Sequence, residues 1–337
     1  MLFRSGLIVW LSWVDDCCVI GKKSVVLESK EQLKSLFECE DVGELTEYVG
    51  CKLDWNRDAG TIKFTQPVQI RSFSDEFELP NNAFKTPAEP GKILEPCEDG
   101  QEVSAEEQSK FRSAVGKLLH MMRWSRPEIY NAVRECSRRM SKASPDHMKA
   151  VLRIMKYCAE TKDRGWELKP SRKWDGIDLS FEFKIRGKAD SNFATCKETR
   201  KSVTGYCVWL EDSLVAVKSG MQKIVALSVT KAEVIALVQC VQEMIYIKKV
   251  LESMNLKVEI PMKVEVDNRG AVDLVNGWSC SGGTKHMDVR IMWMRELKEN
   301  KVLEVVWQPT ADNEADIFTK NTDGATFEKH MKELVAE

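Results

Sequence analysis

The sequence predicts a mixed α/β and α+β chain, with a mixed five-stranded sheet flanked by helices in its second half. Three observations carry this. After Phe181 the pattern runs through three strands, a long helix, a strand, helices, a strand and a final helix, which yields a mixed sheet with helices packed on it. Residues 108–164 instead show three successive helical periodicities. Ahead of both lies a break, in which Pro80, Pro87, Pro90 and Pro96 punctuate residues 80–107.

The elements follow in order. Two short apolar runs, Leu7–Leu11 and Cys17–Ile20, flank Asp15-Asp16 and read as a β-hairpin over residues 1–21. Residues 28–41 read as an acidic helix, with Leu33, Leu36 and Phe37 at helical spacing. Tyr48–Leu53 and Gly60–Phe64 read as strands, and Gln66–Phe77 as a helix. Residues 89–107 hold seven acids and one base, Lys92, so residues 81–107 are expected to be an exposed acidic connector. Helices are expected at about 108–122, 127–140 and 145–160. Phe181–Asp190, Gly205–Leu210, Leu214–Lys218, Met262–Asp267 and Val302–Trp307 are the five strands. Helices are expected at Ser228–Ser253, from Asn268, at Thr284–Asn300 and from Asp312. The expected domains are 1–80, 81–107, 108–180 and 181–337.

Composition excludes several classes. Hydrophobic residues make up 43% and charged residues 30% of 337, an ordinary globular balance. No apolar run approaches about 18 residues, so no membrane span is expected. The eleven cysteines include no CxxC pair or zinc-like Cys/His cluster, which points to reduced thiols inside a cell rather than a secreted disulfide framework. Net charge is −2 and by itself indicates no nucleic-acid partner. Residues 108–164, however, carry fourteen Lys/Arg against five Asp/Glu. That segment is either a solvated face of a helical bundle or a groove tracking a phosphate backbone.

Four acids stand at the ends of predicted elements: Asp190, Glu233, Asp267 and Asp316. Each has an ordinary explanation. Asp190 could form an Asx turn, Thr230 with Glu233 a capping box, Asp267 an N-cap and Asp316 a first-turn acid. Gathered into one pocket they have another. At an effective dielectric near 20, two carboxylates about 4 Å apart repel by roughly 4 kcal/mol. Such a pocket needs cations, and hard oxygen ligands suit Mg²⁺ or Mn²⁺. Two metal ions held this way suit phosphodiester hydrolysis.

The residues around these acids carry a resemblance. Ala189-Asp190-Ser191, Thr199–Tyr206, Ser228–Glu233, Asp267-Asn268, Thr284–Arg290 and Ala315–Lys320 resemble, in order and spacing, the ribonuclease H domain of copia-type LTR retrotransposon polyproteins. The resemblance implies an RNase H-like sheet in 181–337. It also implies that Asp190, Glu233, Asp267 and Asp316 bind two Mg²⁺ (or Mn²⁺) ions and cut the RNA strand of an RNA–DNA hybrid. This chain departs from the family at Lys231 and Val234, where the family has Glu and an aromatic residue. Its loop from Pro309 to Asp316 contains no histidine. His286 is assigned to structure or substrate contact. Arg200, Lys201 and Arg269 are candidate phosphate contacts, with solvated surface charge as the competing reading.

The N-terminal part resembles the end of a copia-type reverse transcriptase. Trp13-Val14-Asp15-Asp16 is similar to the palm motif; Tyr48-Val49-Gly50, Ser113–Leu119, Arg126–Ile129 and Thr161-Lys162-Asp163 are similar to the thumb and connection that follow the palm. Asp15 and Asp16 are expected to be half of a polymerase metal site, because residues 1–14 supply no further acid. RNA-directed DNA synthesis is therefore not expected of this chain alone. The expected partners are an RNA–DNA hybrid and other Pol or Gag products. The expected location is the cytoplasm, in a virus-like particle, or the nucleus. The competing reading is a catalytically silent relic that binds nucleic acid.

Overall fold

The computed structural model describes residues 8–13, 16–277 and 285–336. Asp15, and the side chains of Asp16 and His286, lie outside the described residues.

The chain opens with an antiparallel hairpin of β1 (Ile8–Trp13) and β2 (Asp16–Gly21). Helix α1 (Lys23–Leu36) follows and buries no residue. Strands β3 (Glu47–Tyr48), β4 (Cys51–Asn56) and β5 (Thr61–Thr65) form an antiparallel sheet, joined later by β6 (Trp166–Leu168). Helix α2 (Pro67–Glu76) starts at a proline, whose missing N–H costs nothing at a first helical position.

Three helices come next: α3 (Ala105–Trp124), α4 (Tyr130–Ser137), preceded by a 3₁₀ turn at Pro127–Ile129, and α5 (Pro145–Glu160). Ser104 and Ser144 close capping boxes with Glu107 and His147. Phe111, Ala114, Val115, Leu118 and Met122 lie at helical spacing on α3 and are all buried.

The second half builds the expected five-stranded mixed sheet. Strand β7 (Glu182–Phe183) leads into β8 (Ile185–Asn192), β9 (Val203–Leu210) and β10 (Ser213–Met221), which are antiparallel neighbours. Helix α6 (Val229–Ser253) crosses the sheet, followed by β11 (Lys257–Val258), which pairs with β7, and β12 (Met262–Val266). Then come α7 (Arg269–Asn276), α8 (Lys285–Glu299), β13 (Leu303–Trp307), a 3₁₀ helix at Glu314–Phe318 and α9 (Gly324–Met331). The sheet order is β10-β9-β8-β12-β13, with β12 parallel to both neighbours.

The strand period of two gives this sheet two apolar faces. Tyr206 and Val208 of β9 join the core under α6. Cys207 and Trp209 of the same strand join another core, shared with Phe111, Leu118, Val133, Met155, Phe318 and Phe327. The helices of residues 105–160 thus cover the face that α6 leaves open.

Most of the connector is exposed, as its composition suggests, but a few points tie it down. Pro87, Thr86 and Leu94 are buried. Arg139 Nη2 donates to the Leu94 carbonyl at 2.6 Å, and the Gly91 N–H donates to the Asn321 carbonyl at 2.8 Å. Two of its acids meet the basic segment in the turn between α4 and α5, where Lys142 reaches Asp99 and Glu102 at 2.6 and 2.7 Å. Among the described residues, no helix is long and apolar enough to cross a membrane.

Candidate metal centre

Strand alternation sorts the side chains of β8. Ala189 joins the core under α6, and a Cβ at Gly187 would meet Cys240 and Met244 of that helix. Ser191 Oγ, on the same face, donates to Glu233 Oε1 of α6 at 2.9 Å. Asp190 points the other way, and Thr319 Oγ1 donates to its Oδ2. Asp267 follows the last residue of β12, where Trp307 Nε1 donates to the Asp267 carbonyl oxygen at 2.9 Å. Asp316 lies in the 3₁₀ helix that packs over β8 and β9.

Three of the four ordinary explanations fail on the backbone. Asp190 lies inside a strand and not in a turn. The cap of α6 is Ser228, whose Oγ accepts from the Lys231 N–H at 3.2 Å, so Thr230 and Glu233 form no capping box. The cap of α7 is Asn268, whose side chain accepts from the Ala271 N–H at 2.9 Å, so Asp267 caps nothing. Asp316 does hold a first-turn position, behind the Asn313 cap.

Asp190, Asp267 and Asp316 each place a carboxylate oxygen within 4.8 Å of the other two. Glu233 is not in that triad, yet it borders it. Burial, and then the charges of Asp190 and Asp267, raise its pKa well above the usual carboxylate range. Burial likewise raises Asp190, with Asp267 adding to the shift and Lys320 and Thr319 opposing it. Asp316 is pushed up to about 7, first by burial and then by the charge of Asp190, against the pull of Lys320. Lys320 Nζ lies 2.9 Å from Asp316 Oδ2. Two oxygens of this cluster, Glu233 Oε2 and Asp316 Oδ1, are buried without a hydrogen-bond partner. A buried acceptor left so costs on the order of 1–3 kcal/mol. An all-carboxylate donor set with unpartnered oxygens fits Mg²⁺ or Mn²⁺, which prefer hard oxygen ligands.

The candidate phosphate contacts stand at different places. Arg200 is exposed, with φ +53°, on the β8–β9 connection, and Lys201 is half-buried beside it. Arg269 is exposed next to the cluster, its guanidinium 4.3 Å from the ring centre of Trp307. Several bases of the basic segment already have partners within the protein. Arg126 is fully buried and bonds Glu128 at 2.6 Å. Arg134 pairs with Glu135, Lys110 with Glu106 and Lys156 with Glu160. Arg153 lies over the Phe84 ring and donates to Thr86 and Ala88.

Sequence reasoning missed Thr319, Lys320, Ser191 and Trp307 as members of this site. A signal was present for the first two. They close the Ala315–Lys320 motif, and Lys320 stands four residues after Asp316, the spacing that puts two side chains side by side on a helical turn.

No family model matches the chain. The Pol polyprotein from transposon TNT 1-94 of Nicotiana tabacum is 30% identical over 98% of this chain and 24% of its own length. Another, from transposon RE1 of Arabidopsis thaliana, is 25% identical over 98% of this chain and 22% of its own. The chain is similar to transposon Pol polyproteins along almost its whole length. It spans about a quarter of the length of these relatives. Among solved structures, LC11-RNase H1, isolated from compost, superposes with a TM-score of 0.32 and 16% identity, covering 44% of this chain and 98% of that one. The same enzyme in complex with an RNA/DNA hybrid gives 0.32 and 17%, over 44% and 99%. The sheet of residues 185–307 has the mixed five-stranded form expected from the sequence, three antiparallel strands and then two parallel ones.

Proposed function

We propose that this chain is a retrotransposon-derived ribonuclease H that cuts the RNA strand of RNA–DNA hybrids. The observation that supports this best is the convergence of Asp190, Asp267 and Asp316 within 4.8 Å, bordered by Glu233, with two buried oxygens left without a partner. Asp190, Glu233, Asp267 and Asp316 would hold two Mg²⁺ or Mn²⁺ ions. Bound ions would supply an activated water and stabilise the departing 3′ oxygen.

The chain's own groups set up that chemistry. Thr319 and Ser191 each donate to one oxygen of Asp190 and Glu233, which fixes the two carboxyl groups in orientation. Trp307 ties the Asp267 carbonyl to the end of β13. Glu233 Oε2 and Asp316 Oδ1 keep their lone pairs uncommitted. The Arg269 guanidinium, stacked on Trp307 beside Asp267, suits a phosphate of the hybrid. Arg200 and Lys201 are assigned the same task further along the strand. Hybrid recognition would then run through phosphates, A-like shape and 2′-hydroxyls, with little base specificity. The proposed setting is intracellular, alongside other Pol or Gag products.

A labelled RNA–DNA hybrid with Mg²⁺ tests the reading, with Asp267→Asn as the comparison. Cleavage of the RNA strand by the wild type and its loss in Asp267→Asn is the expected result. If both proteins bind the hybrid and neither cuts it, the chain is a silent nucleic-acid-binding relic and the proposal falls.

A further inference from the structure

Lys320 reaches the acid cluster directly, and its placement is over-determined. Its Nζ lies 2.9 Å from Asp316 Oδ2. Asp316 in turn places a carboxylate oxygen within 4.8 Å of Asp190 and Asp267, so one ammonium stands beside three acids that repel one another.

The backbone around Lys320 is clamped from both sides. Its N–H, and that of Thr319, return to the Asp316 carbonyl at 3.1 and 3.0 Å. The next residue, Asn321, accepts from Asn131 Nδ2 of α4 at 2.8 Å and donates to the Lys92 carbonyl of the connector at 2.7 Å. The docked connector and α4 thus hold the base of the lysine in place. The side chain itself is less confined: it is 39% exposed, against 5% for Asp316. A flexible four-carbon stem with a solvent-facing flank can withdraw its charge without disturbing the fold.

We propose that Lys320 is the resident counter-cation of the Asp190–Asp267–Asp316 cluster. Its ammonium neutralises the cluster when no metal ion is bound, competes with divalent ions for it, and so sets the ion concentration the site requires. Lys320 is a positioning residue that acts through the carboxylates. This inference rests on the reading of the cluster as a metal centre.

The test uses the full chain and Mn²⁺ alone, with binding followed by calorimetry or Mn²⁺ paramagnetic resonance, and melting followed in parallel in EDTA. Lys320→Met keeps the stem and removes the charge. It is expected to bind Mn²⁺ at least about tenfold more tightly than wild type, and to melt several degrees lower in EDTA, with the gap closing or reversing at saturating Mn²⁺. Lys320→Arg, which keeps the charge, is expected to stay within about threefold of wild type. Equal or weaker Mn²⁺ binding by Lys320→Met overturns the counter-cation role and leaves the metal centre standing. Absence of Mn²⁺ binding in both wild type and Lys320→Met overturns the counter-cation role and the metal centre together.

Discussion

Gly205 is the position where one methyl group would separate fold from site. It lies on β9 directly opposite Asp190 of β8. A Cβ built there would stand 2.6 Å from Thr319 Cγ2, 2.8 Å from the Ala315 carbonyl oxygen and 3.0 Å from Phe318 Cβ. Carbon atoms pack at about 3.5 Å or more, so the 3₁₀ helix must back away from the sheet by roughly 0.5–0.9 Å. Ala315 presents a backbone atom, which cannot rotate aside. Gly205→Ala should therefore cost about 1–3 kcal/mol of stability, the range for overpacked cores. It should cost more in activity, because the segment that moves carries Asp316, Thr319 and Lys320. Misplacement of about 1 Å in a catalytic constellation can lower rates on the order of 100-fold. Gly187→Ala is the matched control. Its Cβ would meet Cys240 Sγ at 2.7 Å and Met244 Sδ at 2.8 Å, both flexible side chains on the α6 face. Urea melts and hybrid cleavage with Mg²⁺ would be measured for both variants. The reasoning predicts a similar loss of stability in each but a far larger loss of cleavage in Gly205→Ala. Wild-type cleavage by a folded Gly205→Ala would refute it.

Two further predictions concern the helical layer. Arg126→Met leaves Glu128 buried, without its 2.6 Å partner, and should destabilise the protein by about 3–5 kcal/mol. Hybrid affinity of the folded fraction should not change, and a large loss of affinity without a loss of stability would restore the phosphate-groove reading of this residue. His147 Nδ1 accepts from the Ser144 N–H at 3.0 Å, and its Nε2 faces the Glu95 carbonyl at 2.7 Å. Burial lowers its pKa below the usual histidine value, the Glu95 carbonyl opposing. The unfolded chain then takes up the proton first. The stability His147 contributes is intact above about pH 6.5 and is lost as pH falls toward its lower folded value. Melting temperatures across that window should fall less steeply in His147→Gln than in wild type.

Much of the second half was legible in the sequence. The five strands, the long helix and the four acid motifs appear in the order the periodicity indicates, because strand alternation and amphipathic spacing are local signals. The acids were legible as candidates but not as a site. Ser228 and Asn268 take the caps that Thr230 and Asp267 seemed suited to. Capping preference is nearly equal among Ser, Thr, Asn and Asp, so neighbouring polar residues cannot be ranked from sequence.

The basic segment and the acidic connector show where local reading stops. Composition made 108–164 a candidate surface for phosphate and 81–107 a solvent-exposed strap, and most of 81–107 is indeed exposed; the partners of these charges were not legible. In the structure, Lys142 meets Asp99 and Glu102, Arg139 meets the Leu94 carbonyl, and Arg126 and Arg134 turn inward to Glu128 and Glu135. Charge counted along a chain does not say which charges will face each other. By itself the sequence determined the elements, the kinship with transposon Pol polyproteins and the identity of the four acids. Only the tertiary structure decided that three of those acids meet within 4.8 Å, that Glu233 borders them and that Lys320 stands among them. The physical reason is that these groups come from β8, α6, β12 and a 3₁₀ helix far apart in sequence. Their distances are set by sheet order and by packing on its two faces, which no local pattern encodes.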